Sequence, residues 1–162
     1  MADLPVYTID RIFNAPRAVV WRAWTDPQLL AQWYGPGVDT IIHRFDLRPG
    51  GEWRNEMRWG DKSDLSKMVF EEVTPPEKLV WRHSSVDAEW NVASNPMMPD
   101  WPRTLLATVT FKELEARTGV RLTMTPIDAS DAEIACFANA MAGMDKGWGS
   151  GFTVLEELLA TL

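Results

Sequence analysis

The feature that most constrains this chain is an apolar stripe near its C-terminus. Ile134, Phe137, Met141, Met144, Trp148, Phe152, Leu155 and Leu159 recur at steps of three and four residues. Such spacing lines one side of a helix, and a helix striped in this way must bury that side against another element. Ser130 or Asp131 can cap it, with Glu133 well placed in the first turn. Gly143, Gly147, Gly149 and Gly151 interrupt the helix former's text. Each lowers intrinsic helicity by up to about 1 kcal/mol against alanine. They make sense where backbone approaches another element closely, or where the helix bends.

What the stripe packs against must come from the residues before it, and those read mostly as strands. "VYTIDRIF" alternates Tyr7, Ile9, Arg11 and Phe13 against Val6, Thr8, Asp10 and Ile12. "NAPRAVVWRAW" then changes to a helical period, with Asn14 able to cap and Pro16 suited to a first turn. Asp26 and Pro27 repeat that start signal, and Gly35 and Pro36 close a second helix of about two turns. The aromatic stretch "AWTDPQLLAQWYGPG" is therefore a helix–helix corner. Trp24 and Trp33 seat it against the sheet, and Tyr34 is the ring placed to reach a cavity mouth.

From Asp39 a meander follows. "RPGG" is a turn between "DTIIHRFDL" and "EWRNEMRW". In the latter, Trp53, Asn55, Met57 and Trp59 share one face while Glu52, Arg54, Glu56 and Arg58 share the other. "SKMVFEEV", the turn "TPPE" and "KLVWRHS" come next, the last alternating Leu79, Trp81 and His83. "TLLATVTFKELE" and "VRLTMTPI" complete the strands, the latter turning Val120, Leu122 and Met124 to one side. The order is a strand, two short helices, roughly six strands and one long helix. It implies an α+β fold over a single domain, residues 1–162: a twisted antiparallel sheet with segregated helices. A helix laid along the concave face of such a sheet can leave a cavity beneath it.

Residues 86 to 103, "VDAEWNVASNPMMPDWPR", stand apart, with three prolines and little periodicity. Loops this long are usually functional or mobile. Trp90, Met97, Met98 and Trp101 are its candidate lid or homodimer contacts, against the plainer reading that the rings fold back on the sheet.

Composition removes several classes of function. A net charge of −7 disfavours nucleic acid, because a phosphate backbone rewards a basic surface. Arg44, Arg48, Arg54 and Arg58 interleave with Glu52 and Glu56 and read as a solvated face. No window approaches the roughly 18 apolar residues of a membrane span, and no leader pattern follows Asp3, so a cytoplasmic protein without membrane contact is expected. One cysteine, Cys136, excludes an intrachain disulfide and a cysteine cage. His43 and His83 show no helical ligand spacing, so no metal is expected. Without a glycine-rich phosphate loop or a nucleophile elbow, no cofactor and no nucleophilic enzyme are expected.

The ordered set "FNAPRAVVWRAWTDPQLLAQWYGPG", "FDLRPGGEW", "FEEVTPPEKLVW", "GVRLTMT" and "KGWGSGFTVLEELLATL" resembles the AHSA-type branch of the START-like (SRPBCC) superfamily, homologues of an activator of heat-shock-protein ATPase. The resemblance runs from about Val6 to Leu159. It implies the helix-grip fold shared with START domains and birch-pollen allergens, a curved sheet gripping a long C-terminal helix around an apolar cavity. Relatives of that superfamily carry lipids, sterols, hormones or polyketides, and a minority are cyclases or aromatases. Trp33-Tyr34 stands where many members have Trp-Trp. Eukaryotic chaperone activators carry a further N-terminal domain with no counterpart in these residues, so a chaperone partner is not the first expectation.

The expected function is binding of a small hydrophobic or aromatic molecule, with a filled core as the plain alternative. Trp53, Asn55, Met57, Trp59, Trp81, His83 and Met124 from strands, and Phe137, Met141, Met144 and Trp148 from the helix, are the expected walls. Asn55 and His83 would orient a polar group, and His83 is the one candidate acid or base. The alternatives are a chaperone-cofactor or other partner-binding module, and a cyclase- or hydrolase-like enzyme using His83.

Overall fold

Seven strands and three helices form in the order the patterning implies. In the computed structural model, which describes residues 4–162, β1 (Tyr7–Phe13) leads into α1 (Arg17–Thr25) and α2 (Pro27–Trp33). Then come β2 (Asp39–Phe45), β3 (Glu52–Trp59), β4 (Lys62–Thr74), β5 (Lys78–Ser85), β6 (Thr104–Leu114), β7 (Arg117–Pro126) and α3 (Asp131–Leu159). All neighbours pair antiparallel in the order β1-β7-β6-β5-β4-β3-β2. The first strand thus closes beside the last, and the meander runs outward to β2.

Capping chemistry sets the helix boundaries. Asp26 accepts from the Gln28 backbone N–H at 3.0 Å, and Pro27 supplies a preset φ behind it. Ser130 and Glu133 form a reciprocal capping box at the start of α3, at 3.2 and 2.9 Å. At α1 the expectation needs correction: Pro16 occupies the N-cap and no side chain caps the helix, so Asn14 does not act there. In "RPGG", Gly50 takes a φ of +82°, while Gly51 is required by space. Any side chain on Gly51 would run into the Asp46 carbonyl oxygen.

Alternation sorts the strands into two faces. The concave face carries Trp53, Met68, Phe70, Leu79, Trp81, Leu105, Ala107, Val109, Val120, Leu122 and Met124, all buried. The helix–helix corner plugs into this face. Trp24 has ring centroids of Trp33 at 4.7 Å, Phe111 at 5.9 Å and Phe152 at 6.0 Å around it. It also lies nearly parallel to Trp148. Trp33 donates Nε1–H to the Ala23 carbonyl at 2.9 Å, which ties α2 to α1.

The outer face is paired rather than merely solvated. Arg54 bonds Glu52 and Arg58 bonds Glu56, each two residues along the strand. Glu56 departs from the expected exposed row, since it is only 6 % exposed. It accepts from Arg58 and Ser63 and contacts His43 Nε2 at 2.8 Å. Those hydrogen bonds, Arg58's first, hold its carboxyl down at about 2.

Candidate functional site

The stripe on α3 is not buried evenly. Phe137 towards the N-terminal end, and Phe152, Leu155 and Leu159 towards the other, are buried against the sheet and the helix corner. Between them Met141, Met144 and Trp148 are only partly buried. An open cavity of about 320 Å³ lies beside Met144 and Trp148. Its walls include Met57, His83, Leu105 and Met124 from strands and Met144, Gly147, Trp148 and Gly151 from α3. Trp33, Tyr34, Gly35 and Pro36 from the helix corner, and Trp101 from the long loop, complete it.

The expected wall residues divide into three groups. Met57, His83, Met124, Met144 and Trp148 line the cavity. Trp53, Trp81 and Phe137 lie one layer deeper, 2 % exposed or less, and pack the core. Met141 packs against that core outside the cavity, and Trp59 sits beside the β3–β4 turn, opposite Lys62. Asn55 is also corrected: it is buried, and its Oδ1 accepts from Trp53 Nε1 at 3.2 Å, so it braces the core. Strand alternation gives the face of a residue but not its depth, which is why these were grouped together.

Leu105 and the corner residues Trp33, Gly35 and Pro36 were not read as walls. Leu105 shares the inward phase of Ala107 and Val109, and that phase was the available signal. The register also exposes a polar row across the concave face, Asn55 opposite Ser66 and Ser66 opposite Ser85. Asp64 lies opposite Met57, and burial raises its carboxyl above the ordinary value. Burial pushes the Tyr34 phenol up, and the Asp64 charge adds to that effect.

The loop of residues 86 to 103 has two ends with different surroundings. Trp90 lies on the outer face, beneath Arg54 and beside His43, with Lys67 Nζ donating to its carbonyl at 3.0 Å. It is therefore no lid. Trp101 is on the cavity side, tilted against Phe137 at 5.6 Å. Met97 and Met98 are exposed between them.

His83 meets the cavity with a neutral ring. Desolvation lowers its pKa from 6.5 to about 4, because burial penalises the imidazolium. Its Nδ1 is closed off and has no hydrogen-bond partner among the described residues. An exposed histidine in the unfolded chain takes up its proton near 6.5, so between 6.5 and 4 the unfolded state binds more protons. Stability is complete above that window and declines as the pH falls through it. Glu56 adds a second loss, from 4.5 down to about 2. We predict that Tm falls on the order of 5 °C between the upper and lower ends of the histidine window. His83→Leu flattens that part of the profile in a thermal melt series and leaves the Glu56 part in place.

A curved antiparallel sheet that grips a long C-terminal helix around an open apolar cavity defines a helix-grip, START-like domain. The family model described as Activator of Hsp90 ATPase homolog 1-like protein matches residues 14–160, and the chain belongs to that family. The crystal structure of a Mycobacterium smegmatis protein aligns with a TM-score of 0.79 at 23% identity, covering 98% of this chain and 96% of that one. A solution structure from Arthrobacter aurescens gives 0.80 at 21%, covering 97% and 87%. A Nitrosomonas europaea protein gives 0.73 at 25%, covering 96% and 94%. Among curated proteins none matches the chain significantly. No helix among the described residues is long and apolar enough to cross a membrane.

Proposed function

We propose that this protein binds a small hydrophobic or aromatic molecule in the cavity between the sheet and α3. The observation that carries the reading is the half-buried middle of the α3 stripe, which borders a cavity of about 320 Å³. That volume falls within the range of small-molecule sites, and apolar walls with few polar groups are typical of them. None of the lining residues carries a full charge at neutral pH. Met57, Met124 and Met144 supply adaptable surface, and Trp101 and Trp148 supply flat surface. Equilibrium dialysis against a panel of small aromatic compounds tests the reading. Saturable binding at one site per chain is expected, and no retention of any compound up to its solubility would count against it.

A second reading, a partner-binding module, draws on the family description and on one observation of this chain. Val92, Met97 and Met98 are each exposed on the long loop. A stoichiometric chaperone recovered from native extract, and unaffected by substitutions in the cavity, would favour it. The enzyme reading gains less, because a general base is normally oriented by a hydrogen bond to its second nitrogen and His83 Nδ1 has none among the described residues.

A further inference from the structure

If the cavity is a binding site, its walls also specify the polarity of the occupant. No lysine or arginine lines it. The Asp64 charge acts on Tyr34 in the wall, and it is of the sign that repels anions. A carboxylate entering this space would leave water without meeting a cation, and an unpaired charge in apolar surroundings is heavily penalised.

His83 supplies the complementary part. A neutral imidazole carries one N–H and one lone pair, and the surroundings decide which nitrogen holds the proton. Nδ1 is shut away without a partner among the described residues. A buried N–H with no acceptor is rarer than an unsatisfied lone pair, so the proton belongs on Nε2. Nε2, by contrast, is neither shut away nor hydrogen-bonded among the described residues, and it belongs to a ring that lines the cavity. The wall therefore presents one hydrogen-bond donor in an otherwise apolar and aromatic setting.

We propose that the cavity selects uncharged ring compounds bearing a carbonyl-type acceptor, which takes the Nε2–H of His83, and rejects carboxylates of the same shape. This deepens the binding reading and depends on it.

Three naphthalenes of similar shape separate the terms: 2-ethylnaphthalene, 2-acetylnaphthalene and 2-naphthoate. Each is titrated calorimetrically into the full chain at about pH 7, where a histidine of lowered pKa is neutral. The ketone is expected to bind about five- to tenfold more tightly than the ethyl compound, the worth of one net hydrogen bond. The carboxylate is expected to bind most weakly. His83→Leu should bring the ketone down to the affinity of the ethyl compound, and His83→Gln, whose amide still donates, should restore part of the difference. Melting by circular dichroism shows whether both variants are folded. Should either variant fail to fold, the wild-type ranking still decides. Equal affinity for ketone and ethyl compound overturns the proposal while the binding reading stands. Tightest binding of the carboxylate overturns it as well. If none of the three binds, this proposal falls, and the dialysis panel decides the binding reading separately.

Discussion

Trp24→Ala is expected to destabilise the fold by about 4 kcal/mol, the usual scale for truncating a large ring in a packed core. Trp24 is 2 % exposed and stands where the helix corner, the sheet and α3 meet. Its neighbours are Trp33, Trp81, Phe111, Trp148 and Phe152, contributed by four separate elements or their flanks. Removing the ring leaves a void that no single element can close by shifting. Trp24→Phe should cost far less, because Nε1 of Trp24 has no hydrogen-bond partner among the described residues. Only ring volume is lost there, not a bond. Urea unfolding of the two variants measures the contrast. Equal losses would contradict the account, in which ring volume sets the cost.

Gly147→Phe is expected to weaken binding of a cavity ligand at least tenfold without unfolding the protein, a loss of about 1.4 kcal/mol or more. Gly147 lies on the cavity wall, and a Cβ placed there meets nothing within 4 Å. A large ring can therefore enter the space a ligand would use. Replacing glycine within a helix also removes up to about 1 kcal/mol of backbone penalty, so Tm should hold or rise. Gly147→Ala isolates that gain and should leave affinity nearly unchanged. Met144→Trp offers an independent obstruction from the next turn. Binding by calorimetry and melting by circular dichroism together read the outcome. Unchanged affinity in both obstructing variants would place the ligand elsewhere.

The architecture was legible because its local signals agree. Period-two alternation, the Asp26-Pro27 start, the Ser130–Glu133 box and the α3 stripe each specify an element, and the order of elements leaves few arrangements. The site was legible in part. Alternation placed Met57, His83 and Met124 on the concave face, but it placed Trp53 and Trp81 there too, and these are covered by Trp24, Tyr34, Phe45 and Phe70, which come from other elements. Burial of Glu56 was hidden because its partners, His43 and Ser63, come from the strands on either side. The α3 glycines read as close approaches. Both Gly147 and Gly151 border the cavity, but a Cβ on Gly151 would meet Pro36 and the Trp33 carbonyl at 3.7 Å, whereas one on Gly147 would meet nothing within 4 Å. Helical spacing cannot separate a glycine that admits a neighbour from one that leaves room.

Methyl NMR of isotope-labelled methionine tests the central claim most directly, because methionines mark each candidate region. Met57, Met124 and Met144 line the cavity, Met68 lies in the closed core, and Met97 and Met98 stand on the exposed loop. On titration with 2-acetylnaphthalene, the methyl signals of Met57, Met124 and Met144 should shift together and saturate, while those of Met97 and Met98 stay in place. Shifts confined to Met97 and Met98, or no shifts at saturating probe, would contradict a ligand site between the sheet and α3.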